Sequence, residues 1–330
     1  MQRIRFTPDD LARTRVATLG PLAETLFALR LLQARDTPAL FDGWRRRVRP
    51  AICSRSLQVA PLFKSGTSLD LVTIVGPVSD HEEAYSGVLG IADAVLAAEL
   101  EFISHRSLLP AWTIDLARGD RGAREVLADG VDEAYGAVLA ELWPQVRLHL
   151  DAERARYGQA LMAGGVEQLL SGLAPHARWS SPDLEVLEPR SGDTVGLNGY
   201  GLVIVPSAFC WRLEFSWMLG GGPSILFVPA LRDAAGARGV LTPAAPPGPA
   251  IGTLLGRSRA AVLEVIASIP GITTGAVANH LALSAASASQ HVSVLRDAGL
   301  VASDRFRNTV RHTITDLGEA LLGPSTVMKR

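Results

Sequence analysis

Residues 284–299 read SAASASQHVSVLRDAG. Ala288, Val292 and Leu295 fall at i, i+4 and i+7, so a helix here buries one narrow stripe and turns Ala286, Ser287, Ser289, Gln290 and Ser293 outward. Ser284 supplies an N-cap hydroxyl and Gly299 a stop. Just upstream, TTGAVANHLA begins at Thr273, a second N-cap, and spaces Val277 and Leu281 four apart. The short interval from Leu281 to Ser284 is the tight turn of a helix-turn-helix. A supporting helix precedes the pair over 257–268, RSRAAVLEVIAS, with Val262, Leu263, Ile266 and Ile269 on one stripe and Pro270-Gly271 as its stop.

After Gly299, residues 300–305 and 309–314 alternate as two strands around Phe306, Arg307 and Asn308. With Val310, His312 and Ile314 turned inward, Thr309 and Arg311 are expected to point out beside Arg305 and Arg307, giving a basic hairpin. Support helix, helix pair and hairpin in this order predict a winged helix-turn-helix. The outer face of its second helix is small and uncharged. Serine hydroxyls can meet phosphates or base edges, Gln290 has the geometry to bond adenine bidentately, and Arg296, one turn on, suits a phosphate.

The run HLALSAASASQHVSVLRDAGLV, a basic hairpin and TDLGEALL together resemble the ArsR family of regulators, over about residues 255–323. The resemblance implies a homodimer on double-stranded DNA, with the Ser-x-x-Ser helix in the major groove and the wing along phosphates or the minor groove. By position it implies readout by Ser284, Ser287, Ser289 and Gln290, and wing contacts by Arg305, Arg307, Asn308 and Arg311; Thr273, Ala286, Ser293, Arg296 and Thr309 complete the candidate DNA-binding set. Two departures stand out. Arg307-Asn308 replaces the usual glycine at the wing tip, and the Cys-x-Cys or His/Asp ligands of metal-sensing members are missing, so no metal or other cofactor is expected. Three N-terminal stretches, FTPDDLARTRVATLGPLAETLFALR, WRRRVRP and GLVIVPSAF, resemble the large segment that some ArsR-type regulators of high-GC bacteria carry ahead of the DNA-binding domain. That resemblance implies relatedness and no chemistry.

The chain has 330 residues, enough for two or three units at roughly 150 residues each. A hydrophobic content of 48% and a mean hydropathy of +0.20 suit a packed core, yet no apolar run approaches the ~20 residues of a membrane span. Pro8, Asp9 and Asp10 interrupt any secretory signal, so a cytoplasmic location is expected. Cys53 and Cys210 are too far apart in sequence for a CxxC pair. Arginine outnumbers lysine thirty to two, a bias of composition, so arginine alone marks no site. Charge is distributed unevenly: residues 1–50 hold ten Arg against five acidic residues, 51–250 hold 14 basic against 23 acidic, and 251–330 hold 8 against 5. Basic segments at both ends therefore flank an acidic middle.

Four prolines within 243–249 mark a semi-rigid linker over about 241–252. Ahead of it, 1–180 reads as a helical sensor or dimerisation region. Thr7-Pro8 starts one helix, Leu22, Leu26, Leu29 and Leu32 face one side of another, and Ser79 with Glu82 has capping-box spacing for a helix running to about His105. Two more are expected over about 121–142 and 145–171. Short apolar runs near 184–187, 201–206 and 224–229, bounded by Gly and Pro, predict strands in a small β-rich segment over 181–240. The expected fold class is thus mainly α (α+β): a helical N-terminal region with a small sheet, then a winged helix-turn-helix over 253–330.

Other candidates are weaker. Phe209, Trp211, Phe215 and Trp217 alternate along an extended segment and can form core, an apolar ligand pocket or a dimer surface. The run 44–49, WRRRVR, can touch DNA, pair with the acidic middle or stay solvated. Glu101 with His105, and His81 with Glu82 and Glu83, lack a third ligand and read as solvated faces; His280 and His291 read as packing histidines. Gly220–Gly222 with Pro223 has no phosphate-loop setting, and Ser207 no G-x-S-x-G. The expectation is a DNA-binding transcriptional regulator and not an enzyme: a homodimeric repressor reading a pseudo-palindromic operator under a small-molecule effector, with no membrane partner. The competing classes are an enzyme-like ligand-binding domain fused to a DNA-binding module, and a winged-helix adaptor for proteins.

Overall fold

A computed structural model describes residues 2–64, 67–187, 194–216, 222–243, 249–269, 271–281, 283–306 and 309–322. The chain forms two compact units, Met1–Thr242 and Pro243–Arg330. Helices dominate, with small sheets, and the second unit carries the helix-turn-helix.

Unit 1 begins β1 (Gln2–Arg5), α1 (Pro8–Arg13), β2 (Arg15–Val16), α2 (Pro21–Gln33), α3 (Asp42–Val48), α4 (Ser54–Val59), β3 (Phe63–Lys64) and β4 (Thr67–Ser68). Next come α5 (Leu71–Val75), α6 (His81–Leu89), α7 (Asp93–Ser104), α8 (Thr113–Ala117), α9 (Arg121–Val138) and α10 (Trp143–Ser171). It ends β5 (Ala177–Ser180), β6 (Asp183–Val186), β7 (Thr194–Gly196), β8 (Leu202–Ser207), β9 (Glu214–Ser216), β10 (Ser224–Pro229) and α11 (Ala234–Leu241).

The strands predicted near 184, 201 and 224 are β6, β8 and β10, but they do not make one small sheet. One sheet has the order β5-β6-β1-β7 and the other β2-β8-β10-β9. β1 and β2 come from the region expected to be helical; at four and two residues they are too short to show a period. β8 and β10 run parallel and are buried along their whole length. Their alternate side chains serve different cores. Val203, Val205, Ile225 and Phe227 face the large helical core, while Leu202, Ile204, Leu226 and Val228 face a second core shared with Ile4, Phe6, Leu184 and Leu169. A strand buried on both faces reads as an unbroken apolar run, which is what the sequence displayed.

α2 differs from its expected one-faced pattern. Pro21 through Leu29 are all buried, as is Leu31, so this is a core helix apolar around most of its circumference, packed on α9, α6 and β3. Its single carboxylate, Glu24, is buried too. Glu24 Oε2 accepts hydrogen bonds from Ser207 Oγ at 3.1 Å and from the amides of Ala208 and Phe209 at 3.0 and 3.2 Å. Those bonds favour the ionised form, but loss of water outweighs them and the pKa is pushed up to about 7.

Thr7 caps α1 as expected, in a reciprocal box with Asp10, whose Oδ1 also accepts from Gly201 N at 3.0 Å and ties α1 to the start of β8. The helix expected from Ser79 to His105 is two helices, α6 and α7, parted around Gly90–Ala92. Its cap lies one residue later: Asp80 accepts from Glu83 N, and Glu83 reaches back to Ser79 N at 2.6 Å. A carboxylate at the same spacing replaces the hydroxyl as acceptor. The two later helices appear as α9 and α10, the latter interrupted at Gly164-Gly165, where Gly165 has φ +68°.

Candidate nucleic-acid interface

Unit 2 comprises α12 (Pro249–Leu255), α13 (Arg257–Ser268), β11 (Ile272–Thr273), α14 (Thr274–His280), α15 (Ala285–Asp297), β12 (Val301–Phe306), β13 (Thr309–Ile314) and α16 (Asp316–Leu322). Val262, Leu263 and Ile266 of α13 are buried together with Val277, Ala288, Val292 and Leu295. Ile269, expected on the same stripe, is the C-cap residue of α13 and is 40% exposed. Thr273 Oγ1 caps α14 by accepting from Ala276 N, and Leu283 N bonds Ala278 O at 2.9 Å to close the tight turn. Gly299, with φ +75°, reverses the chain after α15.

Ser284 Oγ accepts from Ser287 N at 3.1 Å and donates to Ser287 Oγ at 2.8 Å. These two hydroxyls build the start of the helix, so they are less available for readout than position alone implied. Ser293 Oγ accepts from Arg296 Nη2 at 2.9 Å, and Arg296 also pairs with Asp297 at 3.1 Å. Both are drawn toward the end of α15. What remains outward is Ala286, Ser289 and Gln290, all exposed. Val294, 41% exposed, extends that face and was missed in the sequence because it was counted with neither stripe. A helix with such side chains can approach a groove floor closely, with an amide for an adenine edge and a branched apolar group for a thymine methyl.

The hairpin pairs Val301 with Ile314, Ser303 with His312, Asp304 with Arg311, and Arg305 with Val310. Directly opposed residues project from the same face, so Arg305 shares a face with Val310 and His312, and Arg311 shares the other with Asp304 and Thr309. The expected single basic face is therefore split, and one of its cations faces an acid. Val310 sits at the inward parity but is 42% exposed, since the strand outruns the core there. Arg307 and Asn308 lie outside the described residues.

His312 joins the parts. It is buried, its Nδ1 lies 2.8 Å from Ser303 Oγ of the hairpin, and its Nε2 lies 2.8 Å from Thr274 Oγ1 at the start of α14. Burial, helped by the nearby Arg296 charge, holds its pKa below the ordinary histidine value. Its chemistry is that of a neutral linchpin between wing and helix pair.

The aromatic set in unit 1 does not assemble. Phe209 is fully buried in the helical core, its ring 4.9 Å from that of Trp44, whereas half-buried Phe215 packs on the second core. Trp211 and Phe215 do line one open cleft with Arg212 and Glu214. Trp217 and Gly220–Gly221 lie outside the described residues. In the arginine run, Arg45 bonds Thr37 and the Ala34 carbonyl, Arg47 donates to Leu241 O at 2.6 Å, and Arg46 and Arg49 are exposed. None of the four makes an ion pair among the described residues.

Set beside known proteins, residues 254–304 match the family model described as a helix-turn-helix domain. No curated protein and no solved structure matches the chain. The match spans α13, α14 and α15 and the start of the hairpin, the same elements whose caps and core were described above, so the chain carries a helix-turn-helix domain of the kind that serves DNA-binding transcription regulation.

Proposed function

We propose that the protein is a sequence-specific transcriptional regulator of the ArsR type, acting by binding and not by catalysis, and that it works as a homodimeric repressor on a pseudo-palindromic operator. The observation that carries this reading is the outward face of α15, where Ala286, Ser289 and Gln290 stand exposed at the head of a helix held by its cap and by a packed core. Such a face is shaped for a groove floor, and the hairpin beside it supplies Arg305 and Arg311 for the backbone. Control by a small molecule in unit 1 fits the size of that unit.

A second reading, a winged helix that contacts protein, is favoured by the exposed Val294, Val310 and Leu317. Salt separates the two. Titrating the full chain onto DNA from its own promoter by fluorescence anisotropy at several salt concentrations gives, for the regulator, an affinity that falls log-linearly with salt and protection of two half-sites about one helical turn apart. Binding that ignores sequence and salt sinks the regulator reading in favour of the adaptor.

A further inference from the structure

A crevice between α2, α6 and α9 has no part in the DNA-facing chemistry. Its space is about 280 Å³ counted with the open mouth, of which only about 10 Å³ is reachable by a water, so it is a closed notch that a ligand must open. Its floor is apolar, with Val88 and Val131 buried, except for Thr25. The Thr25 side chain is 1% exposed and its hydroxyl makes no hydrogen bond, although a threonine on a helix can ordinarily satisfy itself on the preceding turn. A buried polar atom facing a crevice without a partner is a place where a guest gains a hydrogen bond.

The mouth has a different character. His81 stacks flat on Tyr135, ring centroids 4.9 Å apart at 8°, and His81 is exposed at the first turn of α6. Asp132 lines the same opening and has no ion pair among the described residues. Asp80 caps α6 nearby, and Tyr85 of the lining donates to Asp129 at 3.0 Å, a carboxylate already paired with Arg55. An aromatic face beside an unpaired carboxylate, here Tyr135 beside Asp132, attracts an organic cation.

We propose that this crevice binds a single-ring aromatic amine bearing a hydroxyl at its far end. The ammonium pairs with Asp132 at the mouth, the ring takes the place of the His81 imidazole on Tyr135, and the hydroxyl reaches Thr25. The floor holds at most one water as it stands, so entry requires His81 to swing away, a rotamer change open to an exposed side chain. The proposal deepens the regulator reading by naming its effector class and rests on that reading only for what the ligand controls. A route to control exists on α2, which also carries Glu24, gripping the Ser207–Phe209 turn, and Arg30, pairing with Glu214 of β9.

Tyramine and phenethylamine, which differ by one hydroxyl, test it by calorimetric titration of the full chain. Tyramine is expected to bind about tenfold tighter than phenethylamine, because the site holds a buried group that only the hydroxyl satisfies. Thr25→Val, equal in shape, removes that preference. Asp132→Asn, on a half-buried rim, weakens both amines by about tenfold or more while leaving the fold intact. The site is overturned if neither amine binds saturably, or if Asp132→Asn changes neither. No DNA enters the titration: a blank result beside intact operator binding removes the site alone, and saturable amine binding by a chain that ignores DNA removes the regulator reading alone.

Discussion

Asp304 stands directly opposite Arg311 across the β12–β13 hairpin, while Arg305 stands opposite Val310. The two wing arginines are therefore not equivalent. Arg305→Ala is expected to weaken DNA binding by about 1 kcal/mol on all sequences and to lower the salt slope by about one. Arg311→Ala costs less, since Asp304 already offsets that charge, and Asp304→Ala strengthens binding. Anisotropy titrations of the three variants on one duplex check the order; equal losses for both arginines contradict the split face.

Ser284 and Gln290 separate stability from readout on one helix. Ser284 caps α15 through Ser287 N and Ser287 Oγ, so Ser284→Ala is expected to destabilise unit 2 by about 1 kcal/mol and to weaken all operators alike. Gln290 is exposed and makes no such bond, so Gln290→Ala leaves the melting curve in place and changes which base is preferred. Selection from a random-sequence duplex pool, run beside thermal melts, distinguishes them.

Glu24 gives unit 1 a sensitivity to base. Its folded pKa of about 7 lies above the ordinary carboxylate value near 4.5. Between those values the folded state holds a proton that the unfolded chain has released. The stabilisation is thus complete below about pH 4.5 and is lost as pH rises toward and through about 7, the loss reaching about 3 kcal/mol by about pH 8. Glu24→Gln keeps an oxygen to accept from Ser207, Ala208 and Phe209 without the charge, so it is expected to be more stable than the parent at about pH 8 and to fall less steeply with rising pH, the remainder belonging to groups such as Glu99, whose carboxyl burial also pushes up. All six tryptophans lie in unit 1, at or before residue 217, so denaturant melts followed by tryptophan fluorescence report it alone.

What the sequence revealed and what it hid follow from the range of the interactions. In unit 2 the decisive contacts are local: Ser284 caps its own helix, Ala288, Val292 and Leu295 repeat at helical spacing, and Gly299 stops the chain, so the helix-turn-helix could be read directly. The face assignment of the wing failed because pairing across a hairpin is fixed by the turn, and an error in which residue opposes which moves a side chain to the other face. In unit 1, Ile4 and Leu184 share a core though 180 positions apart, and β1 is too short to show a period, so its sheet was invisible until the strands met. Thr25 carries no sequence signal of its own. Only the packing of α6 and α9 around it revealed a hydroxyl with nothing to bond.

His312 makes unit 2 respond to pH in the opposite sense. Its folded pKa lies below the ordinary value of about 6.5, because charging it means placing a cation in a buried site near Arg296. Between the two values the unfolded chain holds a proton that the folded state lacks, so the stabilisation is complete above about pH 6.5 and is lost as pH falls toward the folded pKa. Serine and threonine hydroxyls can accept as well as donate, so Ser303 and Thr274 can turn to meet a protonated ring. The hydrogen bonds survive; the cost lies in desolvation and repulsion. His312→Gln is therefore expected to remove the acid sensitivity of unit 2, and Arg296→Gln to reduce it, while neither shifts the fluorescence transition of unit 1. Far-UV circular dichroism follows both units and fluorescence only the first, so the dichroism transition without a fluorescence counterpart is that of unit 2. If that transition is indifferent to acid in the parent protein, or if Arg296→Gln makes it more sensitive, the buried neutral histidine is not what holds the wing to the helix pair.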